Sequence, residues 1–100
     1  ADVLELPGMP SDALRFRGEP NPFQDGLTFT IPGRGAARLE VFDVAGRLVR
    51  KLELSEGAMD VRQVRWDGRD EAGRATPAGL YHARLIRNGS TRTTNVIRLQ

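Results

Sequence analysis

Residues 66–81, WDGRDEAGRATPAGLY, place charged side chains, glycines and a proline between two aromatic residues. This composition has two interpretations. Carboxylates at Asp67, Asp70 and Glu71, together with loop carbonyls, could bind calcium, which prefers oxygen ligands. Alternatively, the stretch forms tight turns that connect two strands. The surrounding sequence has to distinguish these interpretations.

The turn interpretation accounts for most of the residue types in this stretch. Asp67 can accept hydrogen bonds from the N–H groups of a turn. Gly68 and Gly73 can adopt positive φ, and Gly79, which follows a proline closely, favours a second turn. The acids do not fit an EF-hand loop, because Asp67 and Asp70 are three positions apart and EF-hand ligands alternate. We expect structural turns, with a calcium site outside the EF-hand class as the alternative.

Alternating apolar and polar residues flank the stretch on both sides. VRQVRW (61–66) places Val64 and Trp66 on one face, and the segment that begins at Gly79 places Tyr81 on an apolar face. We expect Trp66 and Tyr81 to insert into the core, because burying an aromatic side chain is strongly favourable. The alternative for Trp66 is a sugar-stacking platform, which would need an exposed indole.

The remaining strands follow from the same period of two. Residues 26–31, GLTFTI, predict a strand with Thr28 and Thr30 facing outward. Asn88-Gly89 predicts a type I′ hairpin turn, because both central positions of that turn need positive φ. The return strand, residues 90–99, carries Ile97 and Leu99 as its apolar residues.

Residues 37–54 predict another hairpin. Asp43 can cap its turn through the side chain, and Gly46 can take positive φ. Before it, Pro20 and Pro22 fix a stiff corner that is expected to end ladder pairing. Seven short strands result, with no helical periodicity, so the sequence predicts an all-β antiparallel sandwich or barrel.

Composition excludes several classes of protein. The chain has 100 residues, a formal net charge of +2 and no cysteine, which fits one domain without disulfides or thiolate chemistry. Basic residues alternate with acids along the chain, so we expect no nucleic-acid binding. No apolar run approaches the ~18 residues that a membrane span needs, so no membrane insertion is expected.

Catalysis and cofactor binding find no support in the motifs. His82, the only histidine, lies within a strand opposite the apolar face, and the serines have no nucleophile-elbow motif around them. The Gly33-Arg34-Gly35 loop lacks the following helix of a phosphate-binding loop. We expect no catalytic residues, no cofactor and no enzymatic activity.

Four segments in order, PNPF, LEVFDVAGRLVRKL, WDGRDEAGRATPAGLYHARL and TTNVIRLQ, together resemble a known family. They are similar to the immunoglobulin-like domain of flagellar hook-capping proteins. They are also similar to C-terminal modules of bacterial secreted proteins, including type IX secretion sorting domains. The resemblance covers residues 14–100 and implies a non-catalytic, seven-stranded antiparallel immunoglobulin-like β-sandwich. Structural roles are implied for Trp66, Asp67, Gly68, Gly73, Gly79, Tyr81, Asp43 and Gly46.

Two functions are compatible with these expectations. The first is a C-terminal accessory module that anchors, exports or spaces a bacterial secreted or cell-surface protein, with residues 1–13 as its linker. The second is a self-assembling extracellular subunit, in which Val3, Leu4 and Leu6 add a strand to a neighbour. In both cases the partners are proteins: parent-chain domains, secretion machinery or neighbouring subunits.

Overall fold

A computed structural model of the chain describes residues 15–100. The predicted linker or strand donor, residues 1–13 with Val3, Leu4 and Leu6, lies outside the described residues. Seven strands follow one another along the chain: β1 (Arg17–Glu19), β2 (Leu27–Pro32), β3 (Ala37–Phe42), β4 (Leu48–Leu54), β5 (Val61–Trp66), β6 (Gly79–Arg87) and β7 (Ser90–Arg98).

The strands form two sheets that face each other. One sheet has the order β1-β2-β5 and the other has the order β4-β3-β6-β7. Every pairing within these sheets is antiparallel. The predicted all-β fold, a seven-stranded antiparallel sandwich, is therefore confirmed.

Inward-facing residues of both sheets form one core, as the period of two predicts. The largest fully buried side chains are Trp66, Phe23, Phe29, Leu27, Ile31, Leu39, Val41 and Val96. The β6–β7 turn also has the expected backbone, since φ is 47° at Asn88 and 80° at Gly89.

One prediction of side-chain direction needs correction. Thr30 is buried, although it alternates with inward-facing residues of β2. It lies on the central strand of its sheet between Arg17 and Gln63, and long neighbouring side chains can cover a small one there. In β7 the buried residue is Val96, whereas Ile97 is 45% exposed and Leu99, just after the strand, is 44% exposed.

The proline corner also differs from the prediction that it ends pairing. Phe23 donates its N–H to the carbonyl of Ile97 and accepts from the N–H of Leu99, at 2.8 and 2.7 Å. The side chain of Asn21 accepts from the N–H of Ile97 and donates to the carbonyl of Asn95. The corner therefore covers the outer edge of β7, which would otherwise expose unpaired backbone groups.

The sandwich has two ends, and each gathers its own loops. The hairpin end consists of residues 33–36, 55–60 and 88–89. The double-turn end consists of residues 20–26, 43–47, 67–78 and 99–100. Arg15 lies toward the hairpin end, because β1 runs antiparallel to β2 and starts opposite Thr30. The candidate loop therefore lies at the opposite end from Arg15.

Candidate functional site

The loop of residues 67–78 connects β5 to β6 and is anchored at both ends by buried aromatic residues. Trp66 is fully buried, and its indole N–H donates to the carbonyl of Arg69 at 2.9 Å. Tyr81 is 3% exposed, and its hydroxyl donates to the carbonyl of Pro77 at 2.5 Å. The two rings meet edge to face with centroids 5.8 Å apart, a favourable aromatic geometry. Each ring therefore joins the core to the backbone of the loop.

Within the loop, Asp70 organises a tight turn with its side chain. Its Oδ1 accepts hydrogen bonds from the N–H groups of Ala72 and Arg74, both at 2.9 Å. Its own carbonyl accepts from the N–H of Gly73, whose φ is 83°. The Asp70 carboxylate, a calcium ligand only in the alternative interpretation, thus binds the backbone of its own turn.

The β3–β4 turn repeats this arrangement with the same residue pattern. Residues 43–47 are DVAGR and residues 70–74 are DEAGR. Oδ1 of Asp43 accepts from the N–H groups of Ala45 and Arg47, at 2.9 and 3.0 Å, and Gly46 has φ of 85°. The sequence reasoning treated each turn alone, although the shared Asp-x-Ala-Gly-Arg pattern was available to relate them.

The Asp43 turn also changes the acidity of its carboxyl group. The pKa of Asp43 is lowered below 3.8, mainly by the hydrogen bond from the backbone N–H of Arg47. Desolvation opposes this shift, whereas the Arg47 side chain and the Ala45 N–H add to it. A carboxylate that accepts several N–H bonds is favoured in its charged form. The ionised side chain therefore belongs to the folded turn.

An arginine from β4 occupies the space between the other two acids of the loop. Nη1 of Arg50 lies 3.6 Å from Oδ1 of Asp67, and Nε lies 3.3 Å from Oε2 of Glu71. The same Nη1 donates to the carbonyls of Arg69 and Asp70, both at 3.4 Å. Carboxylates and loop carbonyls thus surround a guanidinium group, which supplies the positive charge that the calcium interpretation assigned to a metal.

Asp67 has a second contact, because its Oδ1 also accepts from the N–H of Arg69 at 3.0 Å. Among residues 15–100, no group of three or more His, Cys, Asp or Glu side chains is arranged to hold a metal ion. Asp67 and Glu71 converge on Arg50, whereas the Asp70 carboxylate binds backbone N–H groups instead.

The carbonyl of Gly68 holds the far side of the loop. It accepts from both the N–H and the hydroxyl of Thr76, at 3.0 and 2.9 Å, and from Nη1 of Arg98 at 2.6 Å. A Cβ at Gly68 would collide with the Arg98 guanidinium, and its φ is 74°. Arg98 of β7 and Arg50 of β4 thus hold the loop from opposite edges of one sheet.

The remaining candidates from the sequence are also part of local hydrogen bonding. Nδ1 of His82 lies 2.7 Å from Oδ1 of Asn95, its cross-strand partner. In the Gly33–Gly35 loop, both glycine carbonyls accept hydrogen bonds from Arg62. The GRG loop therefore presents carbonyl acceptors to a protein side chain, in contrast to the N–H groups with which a phosphate-binding loop contacts its ligand.

The sequence model of the FlgD Ig-like domain family matches residues 16–89. The chain belongs to this family. The predicted resemblance to the immunoglobulin-like domain of hook-capping proteins is thereby confirmed, and FlgD Ig-like domains are a structural, non-enzymatic family. No curated protein matches the chain in sequence.

Solved structures with the same fold come from secretion and flagellar proteins. One is PorZ, which is described as an essential bacterial surface component of the type-IX secretion system of Porphyromonas gingivalis. It is 20% identical to this chain with a TM-score of 0.68, and the match covers 94% of this chain and 13% of PorZ. Dimeric latent PorU from the same organism is 24% identical with a TM-score of 0.65, over 84% of this chain and 9% of PorU.

The FlgD hook-capping protein of Xanthomonas campestris is 20% identical with a TM-score of 0.54, over 77% of this chain and 58% of that protein. At these identities the likeness establishes the fold. This chain spans only part of the length of each of these proteins: 13% of PorZ, 9% of PorU and 58% of the hook-capping protein. Within the described residues, no helix is long and apolar enough to cross a membrane.

Proposed function

We propose that this FlgD Ig-like domain is a non-catalytic C-terminal accessory module of a bacterial secreted or cell-surface protein, which it anchors, exports or spaces. The observation that carries the proposal is that the carboxylates of loop 67–78 are bound by other groups of the same domain. The carboxylates of Asp67, Asp70 and Glu71 are engaged by Arg50 or by backbone N–H groups. The most site-like segment of the chain thus stabilises its own fold.

The proposal assigns residues 14–100 to the domain and residues 1–13 to a linker. Its partners are proteins: other domains of the parent chain, secretion machinery or neighbouring subunits. The extracellular or surface location is supported by PorZ, which is described as a bacterial surface component. The low share of PorZ and PorU that the domain matches supports a role as one module among several.

Deletion of the domain from the complete encoded protein tests this function. We expect the protein without residues 14–100 to change in its amount on the cell surface or in the medium. We expect its specific activity, measured after purification, to stay unchanged, because the domain contributes no reacting group. Loss of specific activity with an unchanged location would contradict the proposal.

A second candidate is a self-assembling subunit that polymerises by strand addition through residues 1–12. It is favoured by β5, which pairs only with β2, so that its outer edge has no strand beside it within residues 15–100. Such an edge offers backbone groups to an added strand. Val3, Leu4 and Leu6 would supply the apolar side chains of the donor.

Light scattering separates the two candidates. The full chain and a chain without residues 1–12 are compared over a range of concentrations. Strand addition predicts oligomers that disappear on truncation, and a Val3, Leu4, Leu6→Ser variant should dissociate in the same way. Monomers in every sample would exclude strand addition and leave the accessory module.

A further inference from the structure

At the hairpin end, two arginines continue the inward-facing rows of the sandwich. In β6 the buried residues are Tyr81, Ala83 and Leu85, so Arg87 follows them on the same face. In β5 the corresponding residue is Arg62, two positions before Val64. The core is therefore closed at this end by guanidinium groups from opposing sheets.

The guanidinium of Arg62 is well supplied with acceptors. Its Nε donates to the carbonyl of Gly33 at 3.2 Å, Nη1 to that of Ser55 at 2.5 Å and Nη2 to that of Gly35 at 2.6 Å. Three carbonyls from two loops thus hold one side chain, so all three nitrogens of Arg62 already have a partner. Arg62 is a structural residue of this end.

The guanidinium of Arg87 differs sharply from that of Arg62. Its Nε and Nη2 are both buried and have no hydrogen-bond partner among residues 15–100. Its Nη1 packs against Gly33, where an added Cβ would collide with it. Nε and Nη2 form the side edge of a guanidinium, whose parallel N–H groups match two oxygens of one oxyanion.

The electrostatic surroundings also favour an anion. Desolvation, followed by the positive charges of Arg62 and Arg92, lowers the pKa of Arg87. A guanidinium nevertheless stays charged at neutral pH. Arg87 is only partly buried as a residue, but its Nε and Nη2 are shielded from water, and a shielded cationic edge beside other cations is costly without a counter-charge.

We propose that Arg87 forms an anion-binding site at the hairpin end of the sandwich, and that the site takes a carboxylate group through Nε and Nη2. Two parallel donors match the two oxygens of a carboxylate. A carboxylate is favoured over other oxyanions because the segment that precedes the described domain carries carboxylates at Asp2, Glu5 and Asp12.

The carboxylate has two possible sources that share this chemistry. One is the preceding segment of the same chain, since residues 1–14 contain Asp2, Glu5 and Asp12 and no Lys or Arg. That segment joins the domain at the hairpin end, where Arg15 and Arg92 line one shallow surface pocket. The other source is a carboxylate of a second molecule.

Nuclear magnetic resonance of the arginine Nε–H groups tests the proposal on the full chain. Hydrogen exchange of Arg87 Nε–H is measured in sodium chloride and in sodium acetate at equal ionic strength. Arg84, an exposed residue of the same strand, provides the internal reference. The same spectra are recorded for an Asp2→Asn, Glu5→Gln, Asp12→Asn variant.

If the chain supplies the carboxylate, Arg87 Nε–H exchanges at least about tenfold more slowly than that of Arg84 in chloride, and the triple variant removes this protection. If a second molecule supplies it, acetate shifts the Arg87 signal to saturation and slows its exchange. In that case acetate also raises the melting temperature of the wild type relative to chloride. The rise should be smaller for Arg87→Lys, because lysine keeps the positive charge but lacks the two parallel donors.

Either pattern supports the site. The proposal is overturned if neither acetate nor the triple variant changes the exchange of Arg87 Nε–H, whatever its rate in chloride, because burial alone slows the exchange of this group. It is also overturned if acetate moves Arg84 and Arg87 equally, because that result indicates general binding to exposed arginines. The spectra of the wild type and of the triple variant decide the matter even if Arg87→Lys fails to fold.

Discussion

Asp43 and Asp70 occupy the same position in two turns of sequence Asp-x-Ala-Gly-Arg, and each accepts two backbone hydrogen bonds at one carboxylate oxygen. We expect Asp70→Ala to lower the free energy of unfolding by about 1–2 kcal/mol, because two N–H groups lose their acceptor. Asp70→Asn keeps an acceptor oxygen and should lose less. Urea denaturation measures both, and equal losses would show that the acceptor geometry is not what matters.

The ionisation of Asp43 makes the stability of the folded domain depend on pH in the acid range. Its folded-state pKa lies below 3.8, so the charged side chain contributes stability above that pH, and the contribution is lost as pH falls through the folded pKa. The melting temperature of the wild type should therefore exceed that of Asp43→Asn most at about pH 5–6, and the difference should shrink toward about pH 2. A difference that stays constant across this range would contradict the assignment.

Arg50 is expected to stabilise the 67–78 loop in place of a metal. Arg50→Ala should reduce the free energy of unfolding by about 1–2 kcal/mol, since two carboxylates and two carbonyls lose their common partner. Arg34→Ala is the matched control and should cost below about 0.5 kcal/mol, because its ion pair with Asp60 is exposed on both sides.

Calcium addition to the wild type should leave the melting temperature unchanged, because the Arg50 guanidinium lies between Asp67 and Glu71. Thermal melting with excess calcium and with excess chelator makes the comparison. A rise of several degrees with calcium that Asp70→Ala abolishes would establish the metal site and overturn the turn interpretation.

Tyr81 should contribute through its hydroxyl group as well as its ring. Tyr81→Phe keeps the edge-to-face contact with Trp66 but removes the donor to the carbonyl of Pro77, so we expect a loss of about 1 kcal/mol. Chemical denaturation should show a lower midpoint and an unchanged slope. A changed slope would mean that the compactness of the native or unfolded state had altered instead.

Gly18 marks the tightest approach of β1 to the core. A Cβ at this position would lie 2.5 Å from Cδ1 of Leu27 and 3.0 Å from Phe29 and Val96. Gly18→Ala is expected to cost about 1–3 kcal/mol through overpacking. Gly57→Ala is the control: its added Cβ would lie 3.3 Å from Cδ of Arg62 and close to no core side chain, so the change should cost less than Gly18→Ala. Equal losses in both variants would contradict the packing argument.

The fold was largely predictable because the strands bury one face each. The inward positions of β6, from Tyr81 to Leu85, and the turn at Asn88-Gly89 follow from local pattern and turn chemistry. Thr30 was predicted wrongly because its burial depends on the neighbours that β2 acquires in the sheet. In β7 a short polar run obscured the phase, so Val96 was not recognised as the inward residue.

The charged loop could be predicted only in part for a related reason. Turn residues such as Asp67 and Gly68 carry a local signal, whereas Arg50 and Arg98 reach the loop from strands distant in sequence. The pairing of Phe23 with β7 is equally non-local. The alternation of apolar and polar residues and the turn residues do not indicate which distant arginine contacts which carbonyl. These contacts therefore required the three-dimensional structure.

The coverage of the β7 edge by the proline corner has a mechanical consequence. Phe23 pairs with Arg98 in parallel orientation, and the described chain starts at one end of the sandwich and finishes at the other. Tension applied along the chain therefore loads the Phe23 and Asn21 hydrogen bonds to β7 together, in shear, and cannot unzip them one at a time. A domain held in this way would resist stretching where it links a mobile load to a fixed surface.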